Sequence, residues 1–306
     1  MFGFATVKIL RAIITLWAVM TFAFVFMRLT GDPARELLPD NATEEVIALF
    51  RARWGLDQTL WTQYVVYITN LMRGDFGQSL ANGREALTVV LERLPATLTL
   101  TGTAFALVLA IGIPGGVIAA LNRGRPLDQG MMLFCSLGYS LPNFVLGVTL
   151  IFLLAVGLRW LPSSGSATPA HLVMPVITLG FSGAAVIARF TRSAVLEVLE
   201  QPYVRAAIAA GETRGQAILN HVLPNAAIPI VTIIGFSLGG LVGGSIIVEQ
   251  VFGWPGVGRL LVDVVGLRDL AVVQALVMLF ATTMTLANLS VDLAYGFLNP
   301  KIRRRH

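Results

Sequence analysis

Residues 203–224 read YVRAAIAAGETRGQAILNHVLP, and they separate two apolar stretches that could each lie in lipid. The segment itself carries Arg205, Glu212, Arg214 and His221, so it cannot lie at the centre of a bilayer. Its order of prolines, glycines and polar residues predicts two short helices joined by a sharp turn. The first helix would expose small apolar side chains that let another protein approach closely: Ala206, Ala207, Ala209 and Ala210.

Each boundary of this helical pair has its own local signal. Pro202 suits a first helical turn, where its missing N–H does no harm. Gly211 suits a helix C-terminus that needs a left-handed residue. Thr213 and Gln216 have the spacing of a capping box, so the second helix should begin at Thr213. Pro224 disfavours helical backbone at the residue before it, which predicts the end of the second helix.

The composition indicates a polytopic membrane protein. Of the 306 residues, 56% are hydrophobic and 13% are charged, whereas soluble domains carry about 25% charged residues. The net charge of +5 does not call for a nucleic acid, because the basic residues flank apolar segments. The single Cys135 excludes an intramolecular disulfide and is best interpreted as a small buried hydrophobe.

Two absences in the sequence limit its chemistry. The only lysines are Lys8 and Lys301, and neither follows a glycine-rich loop, so the chain lacks the phosphate-binding loop of an ATPase. His171, His221 and His306 lie far apart and have no cysteine partners, so no zinc-site spacing exists. We therefore expect no metal, no cofactor and no catalytic residue in this chain, and we do not expect an enzyme.

Apolar segments predict an all-α fold with six transmembrane helices. They cover residues 12–27, 97–121, 131–157, 172–191, 227–248 and 271–297. Pro114 and Pro142 predict kinks in the second and third of these helices. The pattern divides the chain into a first transmembrane helix (1–29), a helical loop region (30–95) and a core of five helices (96–306) that contains residues 203–224.

The charges of the short loops predict the orientation. If the N-terminus is cytoplasmic, the two short outer loops carry only Arg159, Arg259 and Arg268 as basic residues. The other short loops and the chain ends carry many more, which is the distribution expected for cytoplasmic segments. Long loops cross the membrane largely regardless of charge. Both termini and the 203–224 segment are therefore predicted to be cytoplasmic, and the 30–95 loop extracytoplasmic.

The 203–224 segment resembles the cytoplasmic coupling loop, or EAA motif, of ABC importer permeases. Matching residues are Ala206, Ala207, Gly211, Leu223 and Pro224. Arg205 stands where the family has glutamate, and His221 stands where it has isoleucine. The Tyr-Val-Arg that leads into the segment resembles the dipeptide, oligopeptide and nickel branch. The resemblance implies contact with an ATPase through Tyr203, Arg205, Ala206, Ala207, Gly211, Glu212, Thr213, His221, Leu223 and Pro224.

A second motif, residues 249–258, resembles the family's outer signature, Glu-x-Val-Phe-x-x-Pro-Gly-x-Gly. The helix before it repeats glycine every four residues, which either packs helices within the subunit or faces the pore or another subunit. Asn143 is either a bond between helices or a substrate ligand. The candidate residues of the translocation path and outer gate are Pro142, Asn143, Gly235, Gly239, Gly243, Glu249, Phe252, Pro255 and Gly256.

Further similarity to the branch occurs at 53–58, 74–77, 92–97 and 299–303, so it extends over nearly the whole chain. It implies a permease subunit in the bacterial inner membrane that imports dipeptides or oligopeptides. The implied partners are a second homologous permease, two cytoplasmic ATPase units that bind ATP and magnesium, and an extracytoplasmic solute-binding protein. Nickel or another small solute is the alternative substrate.

An ion-coupled secondary transporter is the main rival interpretation. That class typically has inverted repeats and carboxylates near the middle of the membrane. We find no internal repeat, and Glu249 and Asp292 fall near the ends of predicted spans. An intramembrane enzyme is disfavoured because the sequence has no suitable pair of metal ligands and no Ser/His arrangement.

Overall fold

A computed structural model of the chain describes residues 2–29, 42–53, 56–79 and 81–298. These residues are largely helical, and the only β-pairing among them is an isolated bridge between Gln78 and Glu85. The predicted all-α class is confirmed. Residues 30–41 of the predicted loop region and the motif at 299–303 lie outside the described residues, so those two predictions are tested only in part or not at all.

The helices follow one another along the chain with short connections. In order they are α1 Phe2–Leu29, α2 Glu44–Arg53, α3 Leu60–Met72, α4 Ala86–Leu121, α5 Pro126–Ser140, α6 Asn143–Leu150, α7 Ala170–Leu199, α8 Pro202–Ala209, α9 Arg214–Ala217, α10 Leu223–Val251, α11 Val257–Gly266 and α12 Leu270–Leu298. Two π-helical turns continue α6 and α9, at Ile151–Gly157 and Ile218–Val222.

Five helical runs in the described residues are long and apolar enough to cross a membrane. They are Thr6–Val25, Ala86–Leu121, Ala170–Leu199, Arg214–Val251 and Leu270–Ser290. The pair formed by α5 and α6, with its π-turn, makes a sixth if it counts as one broken span. The predicted polytopic all-α fold is therefore confirmed, with five candidate spans, or the predicted six if the bent pair counts as one.

The third predicted span is not a single kinked helix. Pro126–Ser140 and Asn143–Gly157 meet at an angle of 103°. Leu141 has extended backbone (φ −91°, ψ 115°), as expected for a residue before proline, and Pro142 is extended too (φ −60°, ψ 140°). Two consecutive extended residues stop one helix and restart another. Pro114, by contrast, lies inside the continuous α4.

The described residues form two compact units. The core unit comprises residues 2–9, 95–259 and 286–298, and the loop unit comprises the described residues of 10–94 and 260–285. In the core unit, one apolar cluster packs α4, α7 and α10 together: Leu100, Ala104, Met174, Leu179, Leu241, Val248, Phe252 and Trp254. A second cluster joins the ends of α4 and α7 to α8, α9 and α10: Ala120, Ala194, Val195, Val204, Ala217, Val222, Ala226 and Ile230.

In the loop unit, α3 packs on α1 through aromatic side chains. The Tyr64 and Thr21 hydroxyls are 2.8 Å apart, and the Phe24 ring lies 5.4 Å from the rings of both Tyr64 and Tyr67. Burial, with a smaller contribution from Tyr64, raises the pKa of Tyr67 to about 12. Tyr67 therefore stays neutral at physiological pH. The predicted domain boundaries at residues 29 and 95 stay a prediction.

Candidate functional site

The turn of the 203–224 segment is closed by backbone hydrogen bonds around Gly211. Gly211 has φ +106°, and its N–H donates to the Ile208 carbonyl over 3.1 Å. The Glu212 N–H donates to the Ala207 carbonyl, also over 3.1 Å. This pair of bonds is the Schellman pattern, which satisfies the last carbonyls of α8 and needs a positive φ at the residue after the C-cap Ala210, here Gly211. The predicted turn at Gly211 is confirmed.

The helix that follows the turn begins as its sequence predicts. The Gln216 N–H donates to the Thr213 hydroxyl over 3.3 Å, and the Thr213 N–H donates to the Gln216 side-chain oxygen over 2.9 Å. Both halves of the capping box are present. Two N–H groups that would lack partners at the helix start are satisfied locally.

The second helix does not end at Pro224, so that prediction is wrong. A single helical run covers Arg214–Val251, and Pro224 lies in the first turn of α10. The π-turn Ile218–Val222 precedes Pro224. Proline has no N–H to donate to the preceding turn, and the wider π-turn accommodates its ring. The Asn225 side-chain amide donates to the His221 carbonyl over 2.7 Å. The second arm of the segment is therefore continuous with the membrane-crossing helix α10.

The segment is anchored from beneath and exposed on its outer side. Val204, Ala217 and Val222 are buried in the cluster that joins the helix ends. The Glu212 carboxylate lies 3.0 Å from the His221 ring nitrogen and links the turn to the π-turn. Exposed or partly exposed residues on the segment include most of those predicted to contact an ATPase: Tyr203, Arg205, Ala206, Ala207, Ile208, Gly211, Thr213, Leu219, Leu223 and Pro224.

A basic cavity of about 400 Å³ lies beside the segment. Its charged lining residues are Arg123, Arg125, Arg205, Arg214 and Glu200. Arg123 and Glu200 form an exposed ion pair of 2.7 Å, and the Arg205 guanidinium donates to the Glu200 main-chain carbonyl over 3.2 Å. Arg205 therefore braces the connection between α7 and α8.

At the opposite end of α10, Glu249 is fully buried. Its carboxylate accepts hydrogen bonds from the Thr97 hydroxyl (2.6 Å), the Gly258 N–H (2.7 Å) and the Arg259 N–H (3.0 Å). Gly258 and Arg259 begin α11, so the Glu249 side chain accepts two of the first N–H groups of that helix, which have no partner within it. Glu249 joins α10 to α4 and to the start of α11.

The remaining outer-gate candidates are packed around this carboxylate. Phe252 and Trp254 are buried, and the Trp254 indole donates to the Ala96 carbonyl over 2.9 Å. A Cβ on Gly256 would overlap the Glu249 carboxylate, and Pro255 is half-buried in the same turn. In this conformation these residues form a solid turn and do not line an open channel.

The path candidates in the membrane behave differently. Asn143, with Ser182, Ser237 and Gly240, lines a cavity of about 430 Å³ among α6, α7 and α10. Gly235 is buried and Gly239 half-buried, whereas Gly243 is exposed with no atom within 4 Å of an added Cβ. Pro142 forms the break before α6. The structure thus brings Asn143 to a cavity and leaves part of the glycine repeat on an open face.

Residues 112–304 match the family described as binding-protein-dependent transport system inner membrane component, and residues 1–101 match the N-terminal membrane component of such systems. The chain belongs to this family of permeases. It is 43% identical over 304 residues to the glutathione transport system permease protein GsiC of Escherichia coli, with 99% of each chain covered. The GsiC protein of Shigella flexneri matches to the same extent.

Solved structures of ABC transporters share the fold of this permease. A chain of the inward-facing MetNI methionine ABC transporter matches with a TM-score of 0.58 and 22% identity, over 69% of this chain and 96% of that one. A chain of an amino acid ABC transporter crystallised with histidines matches with a TM-score of 0.52 and 19% identity, over 69% and 94%. The protein is therefore a multi-pass inner-membrane subunit of an ABC importer, and a permease of this family is not itself an enzyme.

One charged contact of this permease escaped the sequence interpretation. Arg192 of α7 donates two hydrogen bonds to the buried Asp128 carboxylate, over 2.5 and 2.8 Å, and the Gly124 N–H donates to it over 2.9 Å. The pair fixes the start of α5 against α7. The sequence did contain a clue to this pair. An acid and a base near the ends of apolar segments need partners when they are buried. The sequence does not say which partner each takes.

Proposed function

We propose that this permease forms, with a second and related permease, a translocation path for glutathione or other short peptides. The full-length similarity to a glutathione transport system permease carries the choice of substrate class, since glutathione is itself a small peptide. The resemblance of residues 203–224 and 249–258 to the peptide branch supports the same class. A solute-binding protein on the outer side delivers the substrate, and two cytoplasmic ATPases supply the energy.

Residues 203–224 are the ATPase contact in this proposal. The segment is exposed, its turn is fixed by Gly211 and by the capping box, and its second arm continues into α10. A partner that displaces the segment would therefore displace the membrane-crossing helix with it, because no flexible joint separates them. Glu212 and His221 brace the turn, and Tyr203 and the alanines form the contact surface.

The path runs along α6, α7 and α10. Asn143 and the cavity beside it supply polar groups at membrane depth, and the exposed Gly243 lets another helix approach closely. Glu249, Phe252, Pro255 and Gly256 hold the outer end of α10 in place as part of the gate. The remaining glycines, Gly235 and Gly239, and the break at Pro142 give α10 and α6 the shape that this path needs.

Both termini and residues 203–224 lie on the cytoplasmic side in this proposal, and the 30–95 region lies outside. The distribution of arginine and lysine among the short loops supports this orientation. A reporter enzyme that folds only after export should be active when it is fused after Gly74. Activity of a reporter that works only in the cytoplasm would reverse the orientation.

The substrate assignment can be tested by uptake in the native host. Deleting this permease should abolish ATP-dependent uptake of radiolabelled glutathione or dipeptide, and the wild-type chain should restore it. Excess unlabelled peptide should compete with the label, and nickel should not. Uptake that survives ATP depletion but stops when the proton gradient collapses would instead indicate an ion-coupled carrier.

A further inference from the structure

Helix α3, Leu60–Met72, exposes apolar side chains and turns polar ones inward, which is the opposite of a helix on the surface of a water-soluble protein. The sequence LWTQYVVYITNLM contains no charged residue. Its polar side chains Gln63 and Asn70 are turned inward and are only partly exposed. The outward face carries Trp61, Val65 and Met72, which are 73%, 44% and 83% exposed. A helix at a water surface buries its apolar stripe and exposes its charged face.

The polar atoms on the outward face have partners within the helix and its cap. The Thr69 hydroxyl donates to the Val65 carbonyl over 2.7 Å. The Thr62 hydroxyl lies 2.9 Å from the hydroxyl of Thr59, the residue that caps the helix. Internal satisfaction of this kind is what a non-aqueous environment requires, because lipid offers no hydrogen-bonding groups. The outward face of α3 is therefore chemically compatible with lipid.

The contact between α3 and α1 gives the depth of α3. The apolar stretch of α1 covers residues 12–27, between Arg11 and Arg28. Tyr64 of α3 meets Thr21 and Phe24 near the end of that stretch. Thr21 lies six residues before Met27, the last residue of this stretch, which is about 9 Å along a helix of 1.5 Å rise per residue. The middle of α3 thus lies below the edge of the hydrocarbon region.

The length of α3 prevents it from crossing the membrane. Its 13 residues span about 20 Å, whereas the hydrocarbon core is about 30 Å thick. We propose that α3 is a membrane-interface helix whose outward face is covered by phospholipid in the leaflet where α1 ends. Interfacial helices sit about 5–10 Å deep, which agrees with the depth given by Thr21. Trp61 suits the headgroup boundary, where tryptophan is enriched.

This placement puts one face of residues 60–72, within the predicted extracytoplasmic loop, in contact with lipid. The inward face of α3 lines a polar cavity of about 510 Å³ with Tyr67 and Asn70, together with Asp75, Glu85 and Gln274. Lipid on one face and a polar cavity on the other would hold this part of the loop unit at the membrane surface. The placement follows from the contacts of α1 and α3 and does not depend on the transported substrate.

Site-directed spin labelling of the full chain in phospholipid vesicles tests the proposal. The native Cys135 is buried and is replaced by alanine. Single labels are then placed at Val65 and Thr69 on the outward face. Ile14 on the exposed surface of α1 is the lipid control, and Ala81 in an exposed loop is the water control. Collisions with oxygen, which enters lipid, are compared with collisions with a charged nickel chelate, which does not.

We expect the labels at Val65 and Thr69 to match Ile14, with high oxygen accessibility and a loss of chelate accessibility relative to Ala81. Chelate accessibility like that of Ala81 would show that the face is in water and would overturn the proposal. Low accessibility to both reagents would overturn it too, because another protein segment would then cover the face. Two sites are labelled because a spin label can distort the helix locally. Agreement between Val65 and Thr69 then shows that the result belongs to the face and not to one label.

Discussion

The continuous helical run Arg214–Val251, which contains α10, begins and ends beside glycine-bearing turns, and the two turns differ in what surrounds them. A Cβ added to Gly211 would have no atom within 4 Å, yet the φ of +106° disfavours any side chain there. A Cβ added to Gly256 would overlap the Glu249 carboxylate. Gly211 is required by its backbone angle, and Gly256 is required by the space that its neighbours leave.

The difference separates a turn that is open enough for the proposed ATPase contact from a turn that fixes a helix. An open turn with defined backbone presents a constant shape and leaves room for a second protein. A filled turn around a buried carboxylate holds α10 on α4 through Thr97. The same helical run thus has an exposed surface beside the turn at one end and a filled turn at the other. Four substitutions test this contrast.

Glu249→Ala should have the largest effect on stability. The substitution leaves the buried N–H groups of Gly258 and Arg259 and the Thr97 hydroxyl without their acceptor. Because each unsatisfied buried donor costs about 1–3 kcal/mol, we expect a loss of roughly 3 kcal/mol or more in the free energy of unfolding. The measurement is thermal unfolding of the purified chain in detergent. Glu249→Gln keeps one acceptor oxygen and should lose less, and an alanine variant that unfolds like the wild type would disprove the role of these bonds.

Gly256→Ala should come next, through crowding. The new methyl group must displace the Glu249 carboxylate from its three donors, and overpacking of this kind costs about 1–3 kcal/mol. Gly266→Ala is the matched control, since a Cβ there meets no atom within 4 Å. The same unfolding measurement should show a lower Tm for Gly256→Ala only. Equal Tm values would mean that the turn has room to adjust.

Gly211→Val should affect coupling more than folding. A side chain at this φ is strained by roughly 1 kcal/mol or more, and the relaxed turn would no longer present the same surface. We expect normal insertion and expression, with ATP hydrolysis no longer tied to transport in the reconstituted complex. Gly215→Ala is the control, because Gly215 is exposed in α9 with equally open space and no positive φ. Normal transport by Gly211→Val would exclude the turn as the coupling element.

The features predicted correctly from the sequence depend on neighbouring residues. The turn at Gly211 and the capping box of Thr213 and Gln216 are decided within four positions of the chain. The spans follow from the length of apolar runs, which any membrane-crossing helix must have. The role of the 203–224 segment came from the family resemblance alone and stays a prediction, because no local pattern states it.

The features predicted wrongly or missed depend on distant or tertiary contacts. Pro142 breaks the third predicted span into two helices, whereas Pro224 does not end its helix, because a π-turn accommodates it. Pro114 lies inside the continuous α4, and the kink predicted there stays a prediction. The buried contact between Glu249 and Thr97 was missed, because the two residues lie 152 positions apart, and the gate role of Glu249 stays a prediction. Sequence spacing cannot reveal a partner at that distance.

Arg205→Ala should have the smallest effect of the four. Arg205 is exposed and donates one hydrogen bond, over 3.2 Å, to the Glu200 carbonyl. Exposed charged contacts are worth about 0–1 kcal/mol, so transport should fall by no more than about fivefold. Arg123, Arg125 and Arg214 line the same cavity and keep it basic after the substitution. The measurement is transport and ATP hydrolysis by the reconstituted complex, beside Gly211→Val. If Arg205→Ala abolished assembly while Gly211→Val transported normally, the ATPase would be held by charge at Arg205, and the backbone shape of the turn would be secondary.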